Sequence, residues 1–200
     1  MKIGPRYKKA RYLGVPVFRK TQNPKFAMRT QVKGRKGGRG PKSEFGRQML
    51  EKQKARYSYG VSSGQFSNYV KAALKATGNN AKNLIHILEC RLDNVVLRAG
   101  FAPTRSAARQ IVNHGHITVN GKKVTIPSYK VRVGEKISIR EGSRKKTVFS
   151  KVDEEFKTIK WPNWMTVDAD TKVITITAEP TTDMTELLFD VGSVLEFYTR

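Results

Sequence analysis

The first 43 residues carry 14 Lys and Arg side chains and not one Asp or Glu. A segment cannot pair charges it lacks, so this stretch is either held open by self-repulsion or neutralised from outside. Four glycines between Gly34 and Gly40, with Pro5, Pro16, Pro24 and Pro41, further oppose a compact core. The expectation is an extended basic arm over residues 1–43 that orders against phosphate. The imbalance then fades along the chain. Residues 1–60 hold 18 basic and 2 acidic side chains, 61–140 hold 13 and 3, and 141–200 hold 8 and 11. A net charge of +23 over 200 residues is more than solubility requires, and nucleic acid is the leading partner it implies.

Other classes are excluded on the same page. An organellar transit segment would be basic but also Ser-rich and amphipathic, whereas Ser43 is the only serine among the first 43 residues. Gly34–Ser43 ends in Lys-Ser like a nucleotide-phosphate loop, but Pro41 stands where that loop needs glycine, and no apolar strand precedes it. One cysteine, Cys90, rules out an intramolecular disulfide and any multi-cysteine metal site within the chain, and suits a reducing compartment. No apolar run approaches the ~18 residues of a membrane span, and the start has no apolar segment of signal type. A 38% hydrophobic content still suffices for a core.

Past the arm, periodicity changes to helix. Ser43 is placed to cap a helix with Phe45, Met49 and Leu50 inward and Arg47, Lys52, Lys54 and Arg56 outward. Phe66, Tyr69, Val70, Ala73 and Leu74 keep helical spacing after Ser62, with Gly78 as the stop. A third helix is predicted from about Ala81 to Ala99, closed by Gly100. Thr104 caps a fourth over Arg105–His114, with Arg105 and Arg109 four apart on one face. Ile117–Val119, the Asn120-Gly121 turn and Lys122–Val124 read as a hairpin, and strands are predicted at 129–133 and 136–140. Beyond Glu141, a short helix around Phe149, Val152 and Phe156, strands at 164–167 and 173–177, and an apolar terminal segment 187–198 are expected, this end completing cores more than holding RNA. The fold class is α+β.

Several of these stretches resemble a known family. Glu51-Lys52-Gln53-Lys54, Tyr59-Gly60-Val61, Arg91-Leu92-Asp93-Asn94-Val95-Val96, Gly100-Phe101-Ala102, Thr104–Gln110 and Gly115–Gly121 resemble small-subunit ribosomal protein four of the bacterial type. Residues 91–140 are similar to its alpha-L RNA-binding module, which also occurs in pseudouridine synthases and tyrosyl-tRNA synthetases. The stretch 44–61 and the closing Glu196-Phe197-Tyr198 resemble the ribosomal family alone. The resemblance implies a helical domain interrupted by the alpha-L domain: an arm over 1–43, a helical domain over 44–90 completed by 185–200, and the alpha-L module with additional strands over 91–184. It further implies a primary binder of small-subunit ribosomal RNA at a multi-helix junction of the 5′ domain, nucleating assembly of the subunit body. Contact with the fifth small-subunit protein, a contribution to translational accuracy and a place near the messenger entry site come with it, which makes messenger RNA a further candidate partner. A ribosomal, bacterial-cytoplasmic location is implied, with an organelle as the other option, and neither a membrane nor a homo-oligomer is expected. Many relatives hold zinc through four N-terminal cysteines; here Phe26 stands where one would be, so no metal and no cofactor are expected.

The residues expected to carry RNA binding are Arg35, Lys36, Arg39, Arg47, Lys52, Lys54 and Arg56 on the arm and first helix, and Arg105, Arg109, Lys122 and Lys123 on the alpha-L module. His114 and His116 rank below these arginines, with ordinary turn roles as the alternative. Asp93 is expected to pair or cap locally, and Cys90 to be a buried apolar residue beside His86. No nucleophile, base and orienting group fall into a catalytic pattern, so an enzyme is not expected. The alternative is a stand-alone alpha-L regulatory or RNA-modification protein, the latter needing a catalytic domain that the 60 residues after 140 do not supply.

Overall fold

The computed structural model describes residues 3–26, 43–144, 146–150, 152, 154, 156, 159–168 and 170–199. Contacts divide the chain into two compact units, one of Met1–Ala81 with Asp183–Arg200 and one of Lys82–Thr182. The second is thus inserted in the first. The sequence reading sets the corresponding boundaries at 90 and 184.

In the first unit, residues 3–26 depart from the extended arm that charge alone suggests. Helix α1 (Arg6–Leu13) forms after Pro5, which suits a helix start, and ends at Gly14 in the left-handed region. Its Ala10 and Leu13 are buried, as are Phe18 and Thr21 beyond it. Phe18 packs edge-on to Tyr57 at 5.9 Å, and the Lys9 ammonium sits 4.8 Å over the same ring. An apolar minority therefore folds this stretch despite its charge.

Helix α2 (Glu44–Ser58) starts at Ser43, whose hydroxyl accepts from the Gly46 amide, and α3 (Ser63–Lys75) starts in the same manner at Ser62. Phe66, Val70 and Ala73 of α3 are buried, as their spacing predicts. The last helix, α7 (Val191–Thr199), returns against α2 and α3. Gln48 donates to Glu196 at 3.1 Å, the Asp190 amide donates to Glu51 at 2.9 Å, and Phe66 meets the Tyr198 ring at 6.2 Å. Phe45, expected inward, is instead 51% exposed and leans on Phe197 at 5.4 Å.

The predicted helix over 81–99 is in fact two, α4 (Asn80–Glu89) and α5 (Leu92–Arg98). The break has a hydrogen-bonding cause. Arg91 is extended, the Leu92 and Asp93 amides donate to the carbonyls of Tyr129 and Pro127, and the Val131 amide donates to the Cys90 carbonyl. The segment 127–131 thus satisfies the open N-terminal amides of α5. It does so with a single bridge, Arg91 to Lys130, in place of the strand expected at 129–133.

Helix α6 (Arg105–Asn113) is capped by Thr104. The strands are β1 (Ile117–Val119), β2 (Lys122–Lys123), β3 (Lys136–Ile139), β4 (Met165–Asp168) and β5 (Val173–Ile176), antiparallel throughout in the order β2-β1-β3-β5-β4. Asn120 and Gly121 both have positive φ, 49° and 78°, as the tight β1–β2 turn demands. One core joins these elements: Val95, Val96 and Phe101, Ala108 and Ile111, Ile117, Ile137 and Ile174, and Phe149, Val152 and Phe156 from the stretch read as a short helix. At residues 147–149 that stretch is a short 3-10 turn.

Candidate nucleic-acid interface

The expected RNA-binding side chains fall into two groups, one in each unit. In the first unit they come from α2, since Arg35, Lys36 and Arg39 lie outside the described residues. Arg47 is exposed. Lys52 rests over Phe197 and Tyr198, 4.2 and 5.0 Å from the ring centroids, and burial and then Arg56 hold its ammonium below the ordinary value. Lys54 pairs with Glu51 at 2.6 Å and Arg56 stacks on Tyr57 at 4.5 Å. Helical periodicity puts Lys52 and Arg56, four apart, on one face of α2 and Arg47 and Lys54, seven apart, on the opposite one, and aromatic rings fix the first pair.

The second unit treats its arginines differently. Asp93 is buried and accepts from both Arg91 (Nε 3.0 Å, Nη2 2.7 Å) and Arg109 (Nε 3.0 Å, Nη2 2.6 Å). Beside it, the buried Glu89 carboxylate accepts from Asn94 at 2.7 Å and from Arg98 Nε and Nη2, at 3.2 and 3.1 Å, while Arg98 also donates to Thr182. Asn94 Oδ1 in turn accepts from Arg105 Nε and Nη2 at 3.2 and 2.8 Å. Two buried carboxylates thus hold or relay to four guanidiniums, an excess of two positive charges. Arg109 remains 25% exposed where Asp93 is 3%. Orientation is set below the surface and charge is shown at it, an arrangement that can present planar donors to phosphate without leaving them to reorganise.

Arg105 and Arg109 are therefore brought together with Asp93, Asn94 and Glu89. The sequence reading took Asp93 as a local partner, which Arg91 is, but missed Arg109 sixteen residues away. Arg91, Arg98, Glu89 and Asn94 were missed as members. The available signal was polar residues standing on apolar stripes of a helix. Lys122 and Lys123 are exposed on β2.

The remaining candidates are plain. Cys90 is buried, 3.4 Å from His86 Nε2, and burial is the main cause pushing its thiol up to about 11. The zinc of four-cysteine relatives does not fit this chain, because Asn23–Phe26 supplies no thiol and Phe26 packs on Tyr7 at 5.9 Å. Among the described residues no group of three or more His, Cys, Asp or Glu could hold a metal ion, and no helix is long and apolar enough to cross a membrane.

An α+β chain whose inserted unit packs capped helices on a small antiparallel sheet and holds arginines at its surface through buried acids matches a defined class: the S4 domain family model covers residues 90–137. The model for the ribosomal protein S4/S9 N-terminal domain covers residues 1–89. Relatives named small ribosomal subunit protein uS4 include those of Roseiflexus castenholzii, 42% identical over 99% of this chain and 98% of theirs, and Thermotoga maritima, 41% identical over 98% of each. That of Syntrophomonas wolfei subsp. wolfei is 43% identical over 82% of this chain and 78% of its own. The chain belongs to the uS4 family.

Proposed function

We propose that this protein is a structural constituent of the small ribosomal subunit that binds small-subunit ribosomal RNA at a multi-helix junction of the 5′ domain and helps nucleate the subunit body. The observation that carries the reading is coverage. Relatives named uS4 match both units over nearly the whole chain, where a borrowed module would match residues 90–137 alone. That pattern favours a ribosomal constituent over an RNA-modification enzyme, and neither matching family is a catalytic one. The surfaces assigned to RNA are Arg47, Lys52, Lys54 and Arg56 with the basic segment carrying Arg35, Lys36 and Arg39, and Arg105, Arg109, Lys122 and Lys123 on the inserted unit. The same reading puts the protein on the ribosome in the cytoplasm, beside the fifth small-subunit protein and near the messenger entry site, with a contribution to accuracy.

The physics behind it is neutralisation of clustered phosphates with counterion release, and shape recognition of a folded RNA. The test is a salt series of binding to a 5′-domain transcript against a length-matched scrambled RNA and duplex DNA. Tight binding to the transcript with a wide margin near physiological salt is expected, and the double variant Arg105→Ala/Arg109→Ala lowers affinity and reduces the log–log salt slope by about 2. Equal binding to all three nucleic acids, collapsing together as salt rises, would reduce the interaction to charge alone. Failure to co-sediment with small subunits would favour a stand-alone regulator.

A further inference from the structure

A second cluster of cations lies about His116: Lys123 is among the residues the sequence singles out, whereas Arg140 and Lys146 are not. His116 is buried and its Nδ1 lies 3.0 Å from the Oγ of the fully buried Ser143. The Arg140 amide donates to the His116 carbonyl at 2.9 Å, bringing the end of β3 alongside. The chain then turns through the 3-10 segment Glu141–Ser143, with the Ser143 amide on the Arg140 carbonyl at 2.8 Å and the Lys146 amide on the Ser143 carbonyl at 3.0 Å. Arg140 and Lys146 thus belong to one tight turn built against the imidazole.

Lys123 reaches the same place from β2. Gly115 has φ 68°, and a Cβ there would collide with the Lys123 side chain, whose Nζ is 3.0 Å from that point. The left-handed backbone at 115 favours glycine, and the Lys123 side chain lies across the turn in the space a Cβ would take. His114, at the end of α6, meets His116 edge-on at 5.9 Å, and Phe149 closes the other side edge-on at 6.0 Å. Among the described residues no ion pair engages Lys123, Arg140 or Lys146. Glu141, next to Arg140, is exposed. Burial first, and then Lys146, His114, Arg140 and Lys123, lower the pKa of His116, disfavouring its imidazolium in a positive field.

A proton-accepting group surrounded by cations, with Ser143 fixing its ring, suits an anion that offsets those cations and lets the ring charge. We propose that Lys123, Arg140 and Lys146, with His116 between them, form a backbone-phosphate subsite for RNA whose occupancy is linked to protonation of His116. The proposal rests on the RNA-binding reading and extends it to a surface where affinity depends on pH, which arginines alone would not produce. Bound phosphate favours the imidazolium, so binding takes up a proton and strengthens as pH falls from 8 towards 6. A rise of one pKa unit on binding would give at most about a tenfold gain.

The experiment measures the dissociation constant of the full chain for the 5′-domain transcript at pH 6 and pH 8 and constant ionic strength. Wild type is compared with His116→Gln, His114→Gln and the double variant Arg140→Ala/Lys146→Ala. Because His116 is buried and its variant can fail to fold, the double variant at exposed positions is the independent arm. The wild type is expected to bind 3- to 10-fold more tightly at pH 6, the ratio falling to about 1 in His116→Gln and staying near wild type in His114→Gln. The double variant loses affinity at both pH values, and its salt slope falls by about 2. An unchanged slope and affinity in the double variant, or a full pH effect in a folded His116→Gln, would overturn the subsite while leaving RNA binding intact. A wild type that does not discriminate the transcript at either pH would instead overturn the RNA-binding reading itself.

Discussion

The two units place positive charge at their surfaces by different means. On α2 of the first unit, Lys52 and Arg56 follow from helical spacing and are steadied by Phe197, Tyr198 and Tyr57. In the inserted unit, Arg109 and Arg105 depend on Asp93 and Asn94, and Asn94 on Glu89, residues that no period links to them. The first arrangement tolerates loss of one member, since each cation has its own support. The second is a network in which one carboxylate serves several donors, so removing it affects structure and surface together.

The largest test of that difference is Asp93→Ala. With Arg91 4% and Asp93 3% exposed, the pair is buried, and losing the carboxylate should cost about 3–5 kcal/mol in urea unfolding. A loss below about 1 kcal/mol would mean that the network does not hold the unit together. Asp93→Asn separates orientation from charge in the folded protein. It adds one positive charge to the surface, so a pure field effect would tighten binding to the 5′-domain transcript, whereas loss of Arg109 alignment weakens it.

Smaller effects are expected in the first unit. Asp190 accepts from the Gly192 and Ser193 amides and from the Ser193 hydroxyl, capping α7, and the Ser193 hydroxyl is the main cause holding its carboxyl below the usual carboxylate value. Asp190→Ala should lower stability by roughly 1 kcal/mol at pH 7. Because the folded-state value is the lower one, this contribution is complete above the unfolded-state value, near 4. It disappears as pH falls through the folded one, so the gap in Tm between wild type and variant should close in acid. Lys52→Met removes only the charge over two rings and should cost about 0.5–1 kcal/mol, measurable by chemical denaturation against Lys52→Arg, which retains it. Least of all is expected at Cys90. Buried, with its thiol raised to about 11, it should react with a thiol reagent at pH 7.5 no faster than the protein opens. Rapid labelling of the native protein would contradict that burial.

Much of the fold was legible because it is written in short-range pattern. The caps at Ser43 and Thr104, the apolar spacing of α3 and the Asn120-Gly121 turn each involve residues a few positions apart, and all stand as expected. The errors occur where distant segments compete. Helical periodicity runs unbroken across Cys90 and Arg91, yet the carbonyls of Pro127 and Tyr129 end one helix and start another. Phe45 fits an inward stripe but lies at the edge of the α2–α7 contact, where Phe197 covers only part of it. Charge predicted an open segment at the N-terminus, but Ala10, Leu13 and Phe18 bury enough to fold residues 6–21.

The amino-acid sequence by itself determined the sign and the uneven spread of charge, the helix caps at Ser43 and Thr104, the hairpin and the absence of the thiols a four-cysteine zinc site needs. These depend on composition and on neighbours within a turn or two. Only the tertiary structure decided which cations are held and by what, Arg109 by Asp93 and Arg105 by Asn94, and it alone brings the turn from Arg140 to Lys146 against His116. Those partnerships join residues 11 to 30 positions apart. Their energy comes from desolvated carboxylates and fixed turns, which exist only once the core has closed around them.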